Sequence, residues 1–249
     1  MEDDPWSRVA EDWARLWGAF ADPAREALVA AAEIAPGMRV LDVGCGSGEF
    51  LRLLLERGAR VSGIDAAGGM VELARVAAPS GELRVGDALE LPWPDASFDA
   101  MTAVNALELT GDPERALAEA VRVTVPGGVV AVANWAEGPL NDVDTLEAAV
   151  AEAHGDERSP DGELRQPGGL EHLMSAAGLE AIRSGTVPAL WEAADDRTLV
   201  RGILLGEDDT GLASAGPVVV AAARPFRTAA GGYRLVNAFR YAVGRTPSR

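Results

Sequence analysis

Val40-Leu-Asp-Val-Gly-Cys-Gly-Ser-Gly-Glu-Phe50 decides the fold: an apolar run stops at glycines on three alternate positions and then enters a helical pattern. The run reads as a buried strand, and the change of period near Glu49 reads as the start of a helix. Glycines at 44, 46 and 48 let the backbone press against a ligand and adopt positive φ without strain. The first turn of the following helix offers unpaired N–H groups at the same place. A strand-to-helix turn of this kind is a ligand-binding turn.

Two nucleotide-binding patterns compete for it, and spacing separates them. The dinucleotide fingerprint is glycine, one residue, glycine, two residues, glycine. Here the third glycine comes one residue early, at Gly48, and Glu49 stands where a third glycine would let the helix pack closely. A pyrophosphate would also sit beside the Glu49 carboxylate, so a nicotinamide dehydrogenase is disfavoured.

The segments downstream fall at regular intervals. Arg60-Val-Ser-Gly-Ile-Asp65 is a second short strand ending in a carboxylate, about 20 residues on, where an acid can accept from a ribose hydroxyl pair. Leu83-Arg-Val-Gly-Asp87-Ala88 ends in another acid. Leu91 to Asp99 leads into a fourth strand ending near Asn105, and Pro126-Gly-Gly-Val-Val-Ala-Val-Ala133 supplies a fifth. From about Pro36 to Trp135 this series resembles the successive motifs of class I S-adenosylmethionine-dependent methyltransferases, of the type 11 or ubiquinone/menaquinone-biosynthesis-like kind. Asp42 is then the acidic residue of the first motif.

The resemblance implies an α/β, Rossmann-like, doubly wound sheet of seven mostly parallel strands. Leu179–Val187 would be the sixth strand, and Tyr233–Val243 the seventh, entering antiparallel between the fifth and sixth. It implies S-adenosylmethionine as cofactor. Gly44, Gly46 and Gly48 would approach its methionine part, with Cys45 contributing backbone. Asp65, with Ala66 beside it, would take the ribose hydroxyls, a helix N-cap being the alternative. Asp87 would accept from the adenine amine while Ala88 offers its N–H, against a simple turn aspartate. Asn105 would meet the cofactor's amino acid moiety or close an Asx turn, and Met70 would pack beside adenine or fill core. Asp42 would orient the loop or reach the cofactor's ammonium through water, an inward aspartate satisfying backbone donors being the alternative.

Composition fits one soluble domain. The chain has 249 residues, 48% of them hydrophobic, enough for one large α/β core. We read a single domain with an N-terminal helical cap over 1–35, a cofactor-binding core over 36–135, a covering insertion over 136–166 and the rest of the sheet over 167–249. The net charge of −17 argues against binding nucleic acid through phosphates. The acidity is uneven: no acid follows Asp209, while arginines at 224, 227, 234, 240, 245 and 249 suggest a solvated basic face. Cys45 is the only cysteine, which excludes an intrachain disulfide and multi-cysteine metal sites. With no leader and no membrane-length apolar stretch, a cytoplasmic monomer or homodimer acting on a small-molecule acceptor is expected.

The N-terminus predicts two capped helices, Asp4 before Pro5 and Asp22 before Pro23, the second ending near Pro36-Gly37. Trp6, Trp13, Trp17 and Phe20 fall on one face of the first helix, either packing it on the domain or lining the acceptor pocket as a lid. Between the fifth and sixth strands, a helix over Val143–Ala153 and a polar loop over Gly155–Gln166 would cover the acceptor at the carboxyl ends of the strands. The 195–230 stretch reads as helical and capping. Methyl transfer can be driven by proximity in a dry site, so a base is optional. His154, beside the cover loop, is a better candidate for one than His172, and no catalytic residue is assigned. The alternative function is a non-catalytic S-adenosylmethionine-binding regulatory or partner protein.

Overall fold

The computed structural model describes residues 4–156 and 160–248; Arg249 and part of the predicted polar loop, 157–159, lie outside the described residues, as do 1–3 of the predicted cap. Parallel strands β1 (Arg39–Val43), β2 (Arg60–Asp65), β3 (Glu82–Val85), β4 (Phe98–Val104) and β5 (Thr124–Trp135) are followed by β6 (Glu180–Ala193) and β7 (Tyr233–Arg245). Together they form one seven-stranded sheet in the order β3-β2-β1-β4-β5-β7-β6. β7 runs antiparallel to both β5 and β6, as the sequence resemblance implies. The reversal of strand order beside β1 places the turn after β1 at a topological switch point, where open α/β sheets bind ligands.

The apolar periodicities resolve into a layer of helices on each face. On one face, α2 (Asp22–Ala31), α3 (Glu49–Glu56), α6 (Asp142–His154), α8 (Asp196–Ile203) and α9 (Asp209–Ala222) bury Leu28, Leu54, Leu146, Leu199 and Val219 against Ala131, Ala133 and Phe239. On the other, α5 (Pro113–Val123) and α7 (Gly169–Ala176) bury Leu117 and Leu173 against Met101, Val130 and Val132. Between β3 and β4 the crossover is a loop rather than a helix. Leu91 and Trp93 from that loop cover this face over β1 and β2, beside Leu41, Val43 and Ile64.

Several boundaries shift for physical reasons. Helix α1 (Pro5–Trp17) is capped by Asp4, whose carboxylate accepts from the Trp6 N–H, but it ends before Phe20. Asp22 is not a cap: it is the first helical residue of α2, and its carboxylate takes Arg25 Nη1 at 2.7 Å instead. That helix stops at Ala31 rather than near Pro36. β5, β6 and β7 all outrun the predicted segments because long antiparallel pairing, from Glu180↔Arg245 to Ala193↔Tyr233, extends them beyond the parallel core. Within the C-terminal arginine series, the half-exposed Arg234 and Arg245 pair with Glu192 and Glu33, and Arg240 with Glu137, so acids earlier in the chain offset part of its charge. Among the described residues no helix is long and apolar enough to cross a membrane.

Candidate active site

At the carboxyl end of β1, Gly44, Gly46 and Gly48 take φ of +71°, +52° and +94°, the left-handed region that favours glycine. Their surroundings differ. A Cβ on Gly44 would collide with Ala106, and one on Gly48 would come within 2.8 Å of the Ala74 Cα. A Cβ on Gly46 would meet nothing within 4 Å. The outer two glycines are therefore required by close packing, and the middle one faces open space.

Asp65, the last residue of β2, bridges this loop to α4 (Gly68–Ala77). Its Oδ2 accepts from the Gly46 N–H at 2.8 Å and its Oδ1 from the Ala67 N–H at 3.0 Å. Burial pushes its pKa above the usual carboxylate range, partly offset by those N–H groups. The Ala66 N–H also acts on this carboxylate, so the loop and the chain before α4 converge on it. The helix N-cap alternative does not hold: Ala67 stands at the N-cap position of α4 with no side-chain cap, and Asp65 closes a turn two residues ahead of the helix. Ala66 beside it is exposed.

Asp42 lies beneath the loop, 3% exposed, and accepts from Thr102 Oγ1 at 2.7 Å. Burial pushes its pKa up to about 7, with Thr102 and Arg25 opposing that and Asp65 and Glu49 adding to it. Cys45 is buried too, its thiol pKa raised by burial and neighbouring acids. Arg25 reaches this region from α2, donating to the Gly18 carbonyl at 2.6 Å and standing 4.0 Å from Glu49. Glu49 in turn accepts from Ser47 Oγ at 2.6 Å. Sequence reasoning missed Arg25 and Thr102. Thr102 left a signal as the one polar residue between Ala100 and Val104 in β4, whereas Arg25 left none.

Asn105 follows β4 with φ of +53°, a strained conformation for a non-glycine residue and one found at functional sites. It stitches β4 to β5: its N–H donates to the Ala133 carbonyl at 2.9 Å and its Oδ1 accepts from the Trp135 N–H at 3.0 Å. Asp87 lies past the end of β3, exposed, with Oδ1 accepting from the Leu89 N–H at 2.8 Å, and Ala88 sits in that turn. Met70 is buried with Ala10 and Ala67, against Trp13, so α1 covers it. Ser7 Oγ accepts from the Gly69 N–H at 2.7 Å and donates to Asp4. The N-terminal helix thus closes over the first turn of α4, next to Asp65.

The aromatic stripe divides along its length. Trp17 stacks on Trp191 at 4.6 Å and donates to the Gly202 carbonyl at 3.1 Å, and Phe20 lies 4.9 Å from Trp135 and 5.3 Å from Phe239. These two are core. Trp13 is half-buried, and Trp6 is 38% exposed. His154 and His172 are both exposed, at the end of α6 and on α7. Among the described residues no cluster of acids, histidine or cysteine could hold a metal.

A mixed sheet of this strand order with an antiparallel β7, an open glycine turn after β1 and a carboxylate ending β2 defines the class I S-adenosylmethionine-dependent methyltransferase fold. The comparisons agree, and the chain carries a domain of that class: residues 41–132 match the family model described as a methyltransferase domain. The chain is 40% identical over 108 residues to a malonyl-[acyl-carrier protein] O-methyltransferase from Serratia marcescens, covering 43% of this chain and 42% of the relative. It is 38% identical over 124 residues to a demethylmenaquinone methyltransferase from Renibacterium salmoninarum, covering 49% and 52%. The chain thus spans about half the length of the curated relatives it matches. A solved chain from the Haloferax volcanii complex of the Trm112 methyltransferase activator and a methyltransferase superposes with a TM-score of 0.64 at 24% identity, covering 99% of this chain and 100% of that one. S-adenosylmethionine is the methyl donor of the family.

Proposed function

We propose that this protein transfers a methyl group from S-adenosylmethionine to a small-molecule acceptor by in-line displacement, releasing S-adenosylhomocysteine. The observation that carries the reading is the pairing of Gly46, which faces open space, with Asp65, whose carboxylate holds both the glycine turn and the chain leading into α4. When bound, S-adenosylmethionine supplies a methyl group activated by its sulfonium. In this reading Asp65 holds the ribose, and the backbone around Gly44, Cys45 and Gly48 receives the methionine part. Asn105 Nδ2 meets the amino acid end, Asp87 and Ala88 the adenine edge, while Asp42 stiffens the loop from beneath through Thr102. Met70, buried under α1, supports the adenine side from the core. Orientation in a site shielded by α1 and the 136–166 segment supplies most of the acceleration.

Incubation with S-adenosylmethionine and an extract of small metabolites tests the proposal, with formation of S-adenosylhomocysteine and a product heavier by one methyl group as the readout. Tight binding of the cofactor without any turnover would favour a non-catalytic binding protein instead. A relative's substrate, whether a carrier-bound malonyl group or a quinone precursor, is a starting point for that screen.

A further inference from the structure

Beyond the residues assigned to the cofactor, one carboxylate at the carboxyl end of β4 is held from two sides by other segments. Glu108 lies in the short turn Leu107–Thr110 that follows Asn105 at the carboxyl end of β4. Its Oε2 accepts from Asn134 Nδ2 at 2.8 Å. Asn134 is 3% exposed on β5, next to Trp135, whose N–H is held by Asn105. A buried amide therefore fixes this carboxylate from below. Its other oxygen, Oε1, lies against Gly162 in the covering segment, where any Cβ would collide with it. Glu108 thus stands where β4, β5 and the cover meet, with one of its roughly four acceptor positions used.

We infer that Glu108 receives the acceptor's proton, and that the acceptor is a neutral O–H or N–H nucleophile, an alcohol, a phenol or a free amine, rather than a carboxylate. The inference rests on the methyltransferase reading above. Charge decides the substrate class. The arginines beside the cover are already committed, Arg165 to Asp144 at 2.7 Å and Asp161 at 3.3 Å, Arg240 to Glu137 at 2.7 Å. An anionic acceptor would face the Glu108 carboxylate with these cations neutralised, whereas a protic one can donate to it. In the reaction, a lone pair on the acceptor's oxygen or nitrogen forms the new bond to the methyl carbon. The carbon–sulfur bond breaks with its electron pair going to sulfur, and the acceptor's proton passes to Glu108 Oε1. The exposed histidines take no part.

The test uses the full chain with catechol and a primary amine as protic probes and a malonyl thioester as the carboxylate probe. Wild type should methylate a protic probe in preference to the carboxylate. Glu108→Gln should lower kcat at least 100-fold while raising KM no more than about tenfold and leaving S-adenosylmethionine affinity and melting temperature unchanged. Calorimetric titration of catechol into protein saturated with S-adenosylhomocysteine gives a readout apart from turnover, and Glu108→Gln should weaken that binding about tenfold. Preference for the carboxylate, full activity of the variant, or no turnover of any probe by protein that binds the cofactor would overturn the inference and leave cofactor binding standing. A purely structural latch would instead show as an earlier melt with kcat within a few fold of wild type, which also overturns it. Failure of wild type to bind S-adenosylmethionine at all would overturn the methyltransferase reading itself.

Discussion

Gly46 and Asp42 carry opposite lessons about one loop. Gly46 is free of its neighbours, so Gly46→Val places its side chain in the space assigned to the cofactor. The variant should fold with a lowered melting temperature, because a β-branched residue tolerates φ of +52° badly, and it should lose S-adenosylmethionine binding. Melting and calorimetry together decide this, and normal affinity in a folded variant would show that the turn is not a cofactor cradle. Asp42 is buried and its pKa stands near 7, against 3.8 as its ordinary value. Between those values the folded protein holds a proton that the unfolded chain has lost. The stability it contributes is fully present below pH 4 and falls away as pH rises through 7. Asp42→Asn should therefore melt higher than wild type at pH 8 and flatten the decline between pH 5 and 8, on a scale of about 1.4 kcal/mol for each unit of displacement. Parallel melting curves for the two proteins across that range would mean that Asp42 stays ionised in the fold.

Among the elements, α1 has two jobs that its sequence merges into one stripe. Its C-terminal end is core: Trp17, with Phe20 just beyond the helix, joins a cluster with Trp135, Trp191 and Phe239. Its N-terminal half covers the start of α4 through Ser7 and Gly69, where the approach is so close that a Cβ on Gly69 would come within 2.9 Å of Ser7. Deleting residues 1–20 should therefore destabilise the whole protein and impair cofactor binding and methyl transfer together. Loss of the Trp17 packing alone is worth about 3–5 kcal/mol. Deleting only residues 1–8 separates the two jobs: melting should stay near wild type while S-adenosylmethionine affinity falls several-fold. A 1–20 deletion that melts normally and loses only turnover would instead make the entire helix an acceptor lid. The stripe was visible at helical spacing, but nothing in the spacing told which aromatic would find Trp191 or Phe239 across the fold, because those contacts are set by long-range packing.

At the scale of the whole molecule, the parallel half of the sheet was legible because each strand ends in a residue with a chemical reason to be there: the glycine turn after Val43, Asp65, and Asn105. The antiparallel half was legible in order but not in extent, since β6 and β7 prolong each other by pairing that no local pattern marks. In the site, the loop glycines and Asp65 could be found from spacing. Thr102 and Asn134 left only a polar residue in an apolar run, and the partnership of Glu108 with Asn134 and Gly162 joins three separate segments. Charge behaved likewise: the basic C-terminal series was evident, but its acidic partners lie from Glu33 to Glu192. The central claim is that the switch-point cleft between the glycine turn and Asp65 holds S-adenosylmethionine. Calorimetric titration of wild type and Asp65→Ala tests it most directly. A hydrogen bond to a charged group is worth roughly 1.5–3 kcal/mol, so wild type should bind one equivalent, and the variant, still folded by circular dichroism, should bind about 10- to 150-fold more weakly. Equal affinity in the two proteins, or no binding by wild type, would contradict the account.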